Sequence, residues 1–169
     1  MENVLKEKIA VLAKKINKMK KYGKLIFFEG GEGCGKSTHA KFCTKYLKQK
    51  GINAIYSREP GSVKEAEEIR KILLDKKNDL CTLTETFLFE AARTEFYRKI
   101  VIPKLSAGTT IISDRSMYST EAYQGYAGGE DLKKIRYMNF LATFGTKPDL
   151  VVLINIPTKK GLKKEIQEN

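Results

Sequence analysis

Leu25-Ile26-Phe27-Phe28-Glu29-Gly30-Gly31-Glu32-Gly33-Cys34-Gly35-Lys36-Ser37-Thr38 passes from an apolar run, through a glycine-rich turn, into residues that open a helix. Gly30, Gly35, Lys36 and Ser37 fit the spacing G-x-x-x-x-G-K-[ST]. Each residue type has a physical task there. Glycines let the backbone fold round a polyphosphate and turn its N–H groups inward. The helix N-terminus behind the loop favours negative charge. Lys36 can reach the β/γ-phosphates, and the Ser37 hydroxyl can serve a Mg²⁺ ion.

Outward from this stretch the chain alternates strand and helix patterns. Strands are expected over 24–29, 52–57, 109–114 and 149–156, and helices over 37–50, 63–75, 83–105, 116–126 and 131–144. The long pattern over 83–105 is strained at Pro103. Such alternation predicts an α/β fold with a parallel sheet covered on both faces, and the run Val151-Val152-Leu153-Ile154 suits a central strand. Ligands of these sheets bind at the carboxyl ends of the strands. There stand the phosphate loop, Arg58 after the second strand, and Asp114-Arg115 after the third. With Arg93 they supply more cationic groups than one phosphate loop needs, which implies a second bound anion and phosphoryl transfer rather than hydrolysis alone. Asp114, closing an apolar strand, is placed to hold Mg²⁺ or to orient an arginine.

At 169 residues, 41% apolar and 31% charged, the chain has the composition of one globular domain. No apolar run approaches a membrane span. Cys34, Cys43 and Cys81 are odd in number and widely spaced, which predicts reduced thiols in a cytoplasmic protein. The net charge of +12 owes much to lysines near the two ends. No aromatic residues interleave with them as a stacking surface would require, so no specific nucleic-acid partner is expected. Residues 1–23 read as a basic amphipathic extension in which Leu5, Ile9, Leu12, Ile16 and Met19 share a helical face. It can dock on the domain, on a partner or on an anionic surface, or it precedes a natural start at Met19.

Several motifs together resemble the thymidylate kinase family: the phosphate loop, Arg58-Glu59-Pro60-Gly61, Leu88-Phe89 with Arg93, Asp114-Arg115 followed by Ser119-Thr120-Glu121-Ala122-Tyr123-Gln124-Gly125, and Pro148-Asp149-Leu150. The resemblance implies a three-layer, P-loop nucleoside-monophosphate-kinase-like fold over residues 24–169, transferring phosphoryl from MgATP to dTMP. It places ATP phosphates on Gly30, Gly31, Glu32, Gly33, Cys34, Gly35, Lys36, Ser37 and Thr38, and the metal at Ser37 and Asp114. It places dTMP against Glu32, Arg58, Phe89, Arg93, Arg115, Thr120, Tyr123 and Gln124, with Lys36, Asp114 and Arg115 catalytic. It also implies a homodimer.

The chain departs from the family pattern at Ser62, Ser116 and Asn155. Gly33 stands where some relatives carry a catalytic basic residue. The last arginine is Arg136, and only residues 158–169 follow the fourth strand. The family's arginine-bearing lid and fifth strand are therefore expected to be lacking. That leaves an alternative: a truncated, catalytically impaired relative that binds nucleotide without efficient turnover.

Overall fold

In the computed structural model, which describes residues 22–157, the apolar run before the glycines becomes β1 (Leu25–Gly30), paired with parallel strands on both sides. β1 leads through the glycine loop into α1 (Lys36–Gln49), then β2 (Ala54–Arg58) and α2 (Lys64–Leu74). A long helical segment follows, made of α3 (Thr82–Phe96), a π-helical stretch (Tyr97–Val101) and α4 (Ile102–Ser106). After β3 (Thr110–Asp114) come α5 (Met117–Thr120), a second π-helical stretch (Glu121–Ala127), α6 (Leu132–Ala142) and β4 (Leu150–Ile154). The strand order is β2-β3-β1-β4.

The alternation of side chains along β1 builds both cores. Ile26 and Phe28 pack with Ala40, Cys43 and Leu47 of α1, whereas Leu25 and Phe27 pack with Phe96, Tyr97 and Val101. Each large apolar side chain so buried contributes about 1.5–3 kcal/mol. Asp149 fixes where β4 begins: its carboxylate accepts from Leu25 N–H at 2.9 Å and from Lys24 Nζ at 2.9 Å.

One expectation of the fold is corrected: the long helix is not uniform. Pro103 has no N–H to give and its ring crowds the carbonyl four residues back, so the backbone widens into the π-helical stretch just before it. Among the described residues β4 is an edge strand, with Val151 and Leu153 exposed, the position that the expected lack of a fifth strand gives it. A continuous apolar run reports that both faces want cover, not how many strands flank it.

The amphipathic pattern before Tyr22 and the helix, lid and fifth-strand expectations beyond residue 157 lie outside the described residues. Among the described residues no helix is long and apolar enough to cross a membrane.

Candidate functional site

The parallel register brings the carboxyl ends of β1, β2 and β3 to one edge. Phe28 pairs with Asp114, and Asp114 with Arg58. The glycine loop springs from β1 at Gly30, whose φ is +150°. Gly35, in the left-handed region, caps α1 and hands the chain to Lys36. The Lys36 side chain is buried, and its ammonium donates to the carbonyls of Gly30 (3.1 Å) and Gly31 (2.8 Å). It therefore lies along the inside of the loop, where phosphate charge would gather.

Ser37 donates its hydroxyl proton to Asp114 Oδ2, joining the start of α1 to the end of β3. Asp114 Oδ1 is buried and makes no hydrogen bond among the described residues. A hydroxyl and a carboxylate oxygen with spare lone pairs form an oxygen-rich donor set of the kind a hard divalent cation uses. Beneath the loop, Glu29 accepts from Ser116 Oγ at 2.5 Å and Ser119 Oγ at 2.9 Å. Burial pushes the Glu29 carboxyl up, against the pull of the two serines. Ser116, one of the departures from the family pattern, thus has a defined structural use.

Beside the loop lies a pocket of about 400 Å³. Seven of the sequence-predicted acceptor residues line it: Glu32, Phe89, Arg93, Arg115, Thr120, Tyr123 and Gln124. Arg58 does not; its guanidinium pairs with Glu67 at 2.8 Å and is about half exposed. Arg70 lines the pocket and escaped the sequence reading. It donates to the Pro60 carbonyl at 2.9 Å, and burial with Arg58 beside it pulls its pKa down. The signal was available: Arg70 lies four residues after Ala66 and three before Leu73, within the inward stripe of α2.

Two ion-pair groups shape the pocket. Arg115, held at φ +67°, pairs with Glu32 of the glycine loop and lies 5.6 Å from the Tyr123 ring centre. Burial opposes the Arg115 charge, but hydrogen bonding with Tyr123 and Glu32 outweighs it and raises the pKa. Glu32 is lowered because the Arg115 contact and charge overcome its own burial. Deeper in, Arg93 is 3% exposed and meets Glu59 at 2.7 Å and Glu90 at 2.5 Å. Burial pushes both carboxyls up while Arg93 opposes it.

A phosphate loop on a central parallel strand, sharing a wall with an arginine-lined pocket, defines a P-loop phosphotransferase of the nucleoside monophosphate kinase type. The thymidylate kinase family profile matches residues 28–169. A thymidylate kinase of Thermoanaerobacter sp. (strain X514) is 39% identical over 142 residues, covering 84% of this chain and 70% of that protein. That of Geotalea uraniireducens (strain Rf4) is 45% identical over 143 residues, covering 84% and 67%. Among solved structures, the thymidylate kinase of Ehrlichia chaffeensis superposes with a TM-score of 0.76 at 35% identity, covering 84% of this chain and 81% of that one. The chain belongs to the thymidylate kinase family.

Proposed function

We propose that the chain transfers the γ-phosphoryl group of ATP to dTMP, giving dTDP and ADP. The observation that carries this is the Glu32–Arg115 pair. Glu32 belongs to the phosphate loop, yet its carboxylate lines the neighbouring pocket and holds an arginine from beyond β3. Donor and acceptor sites therefore share a side chain, as in-line transfer between two bound nucleotides requires.

In this reading the loop amides and Lys36 hold the ATP phosphates, and Lys36 offsets charge on the transferring group. Ser37 and Asp114 would hold Mg²⁺, which when bound neutralises the β- and γ-phosphate oxygens. Arg115 and Arg70 grip the acceptor phosphate, and Arg58 joins them by exchanging Glu67 for the phosphate. An oxygen of that phosphate attacks the γ-phosphorus and the bond to the β-phosphate oxygen breaks, so that ADP leaves. Phe89 stacks on the base, Arg93 hydrogen-bonds it, Thr120 and Gln124 contact the nucleoside, and Tyr123 crowds the 2′ position. The family's homodimer finds support in Ile72 of α2 and Leu83 and Phe87 of α3, all substantially exposed on two helices that also contribute residues to the pocket. Free cysteines at 34, 43 and 81 suit a cytoplasmic enzyme.

A coupled ADP-release assay with dTMP, dUMP and dCMP tests the proposal, run beside calorimetric binding of each nucleotide. The expected result is turnover on dTMP well above the ATPase background. Binding of dTMP with no ADP release above background would refute the kinase reading in favour of a binding-only relative.

A further inference from the structure

Arg93 is more heavily committed than a base-reading arginine needs to be. A guanidinium has five N–H donors. Nε donates to Glu59 (2.7 Å), Nη1 to both Glu90 (2.5 Å) and Asn139 (2.7 Å), and Nη2 to Thr120 (3.0 Å). Four of the five are thus spent inside the protein, and one N–H on Nη2 has no partner among the described residues. The ligands come from the turn after β2, from α3 itself, from α5 and from α6. Two of them are carboxylates, although one suffices to balance an arginine. Both are buried, and each keeps an oxygen with no hydrogen bond among the described residues, Glu59 Oε1 and Glu90 Oε2. Burying a second carboxylate against one guanidinium costs free energy. Such an arrangement holds the guanidinium plane from two sides and leaves it little freedom to turn.

We propose that Glu59 and Glu90 are positioning residues for acceptor-base selection: they clamp Arg93 so that a single N–H is presented to a single base carbonyl. The inference rests on reading the pocket as the acceptor site. A lone donor at a fixed position rewards a base with a carbonyl there and penalises one that presents an amino group, because two donors would then face each other. A guanidinium free to rotate would offer its other N–H groups, or withdraw, and would discriminate less. In this proposal that carbonyl is the 4-oxo group, which cytosine replaces with an amino group, so the clamp acts on the choice between 4-oxo pyrimidines and cytosine and not on the phosphoryl step.

Calorimetric titration of the full chain with dTMP, dUMP, dCMP and ATP tests this and needs no turnover. Glu59→Gln and Glu90→Gln keep the side-chain shape while removing the charge. Each is expected to weaken dTMP and dUMP about ten-fold, to leave dCMP within about two-fold and to leave ATP unchanged, so that selectivity shrinks. Glu59→Asp, which keeps the charge, should recover part of the loss. A purely structural role would lower Tm yet leave the dTMP-to-dCMP ratio where it was, and that result in either folded variant overturns the clamp. Wild-type protein that binds no pyrimidine nucleotide would instead remove the site assignment, and the clamp with it.

If neither variant folds, the wild type still decides. With one donor, removing one carbonyl oxygen from the base of dTMP should cost about ten-fold and removing the other almost nothing. Equal losses would refute the single-donor account.

Discussion

A methyl group on Gly30 has nowhere to go. Its Cβ would stand 2.5 Å from the Ile154 carbonyl oxygen and 2.7 Å from Cys34 Sγ, at a φ of +150°. Two costs follow for Gly30→Ala. The backbone conformation costs an L-residue about 1–3 kcal/mol, and forcing a methyl into filled space costs about 1–3 kcal/mol more. Together they reach about 2–6 kcal/mol, a large share of the ~5–15 kcal/mol that holds a domain folded. Relief has two routes. Either β4 moves off β1, since Ile154 is the register partner of Gly30, or the loop tilts and its amides lose their aim. The first lowers stability and the second weakens ATP binding. Gly31→Ala is the control from the same loop, because a Cβ there meets nothing within 4 Å and the φ is not left-handed. It should stay within about 0.5 kcal/mol of wild type. Urea denaturation followed by circular dichroism, with binding of a fluorescent ATP analogue, measures both consequences. Gly30→Ala with wild-type midpoint and wild-type ATP affinity would show that the loop is not held as described.

Three further outcomes can be checked. Cys81 is exposed, and the Thr84 hydroxyl and N–H hold its thiol below the usual value, whereas burial pushes Cys43 up to about 11; iodoacetamide should modify Cys81 in the native protein and reach Cys43 only in denaturant, and equal native rates would contradict the burial of α1. The Tyr97 hydroxyl is buried without a partner among the described residues, so Tyr97→Phe should match wild-type stability in urea or exceed it by up to about 1 kcal/mol, whereas a clear loss would reveal a hidden bond. Asp114→Asn should weaken ATP binding about ten-fold in Mg²⁺ but little in EDTA; the same loss in both would remove Asp114 from the metal.

The glycine loop and its flanking strand and helix were legible because their signals are local. Apolar run, turn glycines and helix-opening residues follow one another within fourteen positions. The convergence of Arg115 and Asp114 on that loop was also legible, since parallel topology dictates which strand ends meet. Other features depend on partners far along the chain. Glu59 stood in a recognised motif, but its use depends on Arg93, thirty-four residues on, and on Thr120 and Asn139 beyond it. Arg58 looked ready for an anion, yet Glu67 holds it outside the pocket, a contact that no local pattern announces. Arg70 shares the inward stripe of α2 with Ala66 and Leu73, so its position could be read from the sequence but its place in the pocket could not. The π-helical stretch before Pro103 could be foreseen as strain but not as this remedy, because the packing of Phe96, Tyr97 and Val101 decides how the strain is released.

Arg93 also bears on how such a protein can change over generations. A residue that fastens four segments of chain at once is a poor starting point for a new substrate preference. Any replacement loosens the scaffold before it can offer the newcomer anything. Drift toward another base, or toward escape from a base-mimicking inhibitor, is channelled instead to neighbours with fewer obligations, such as Phe89 or the half-exposed Tyr123. A laboratory campaign to broaden nucleotide use would do well to randomise those two positions and leave the arginine alone.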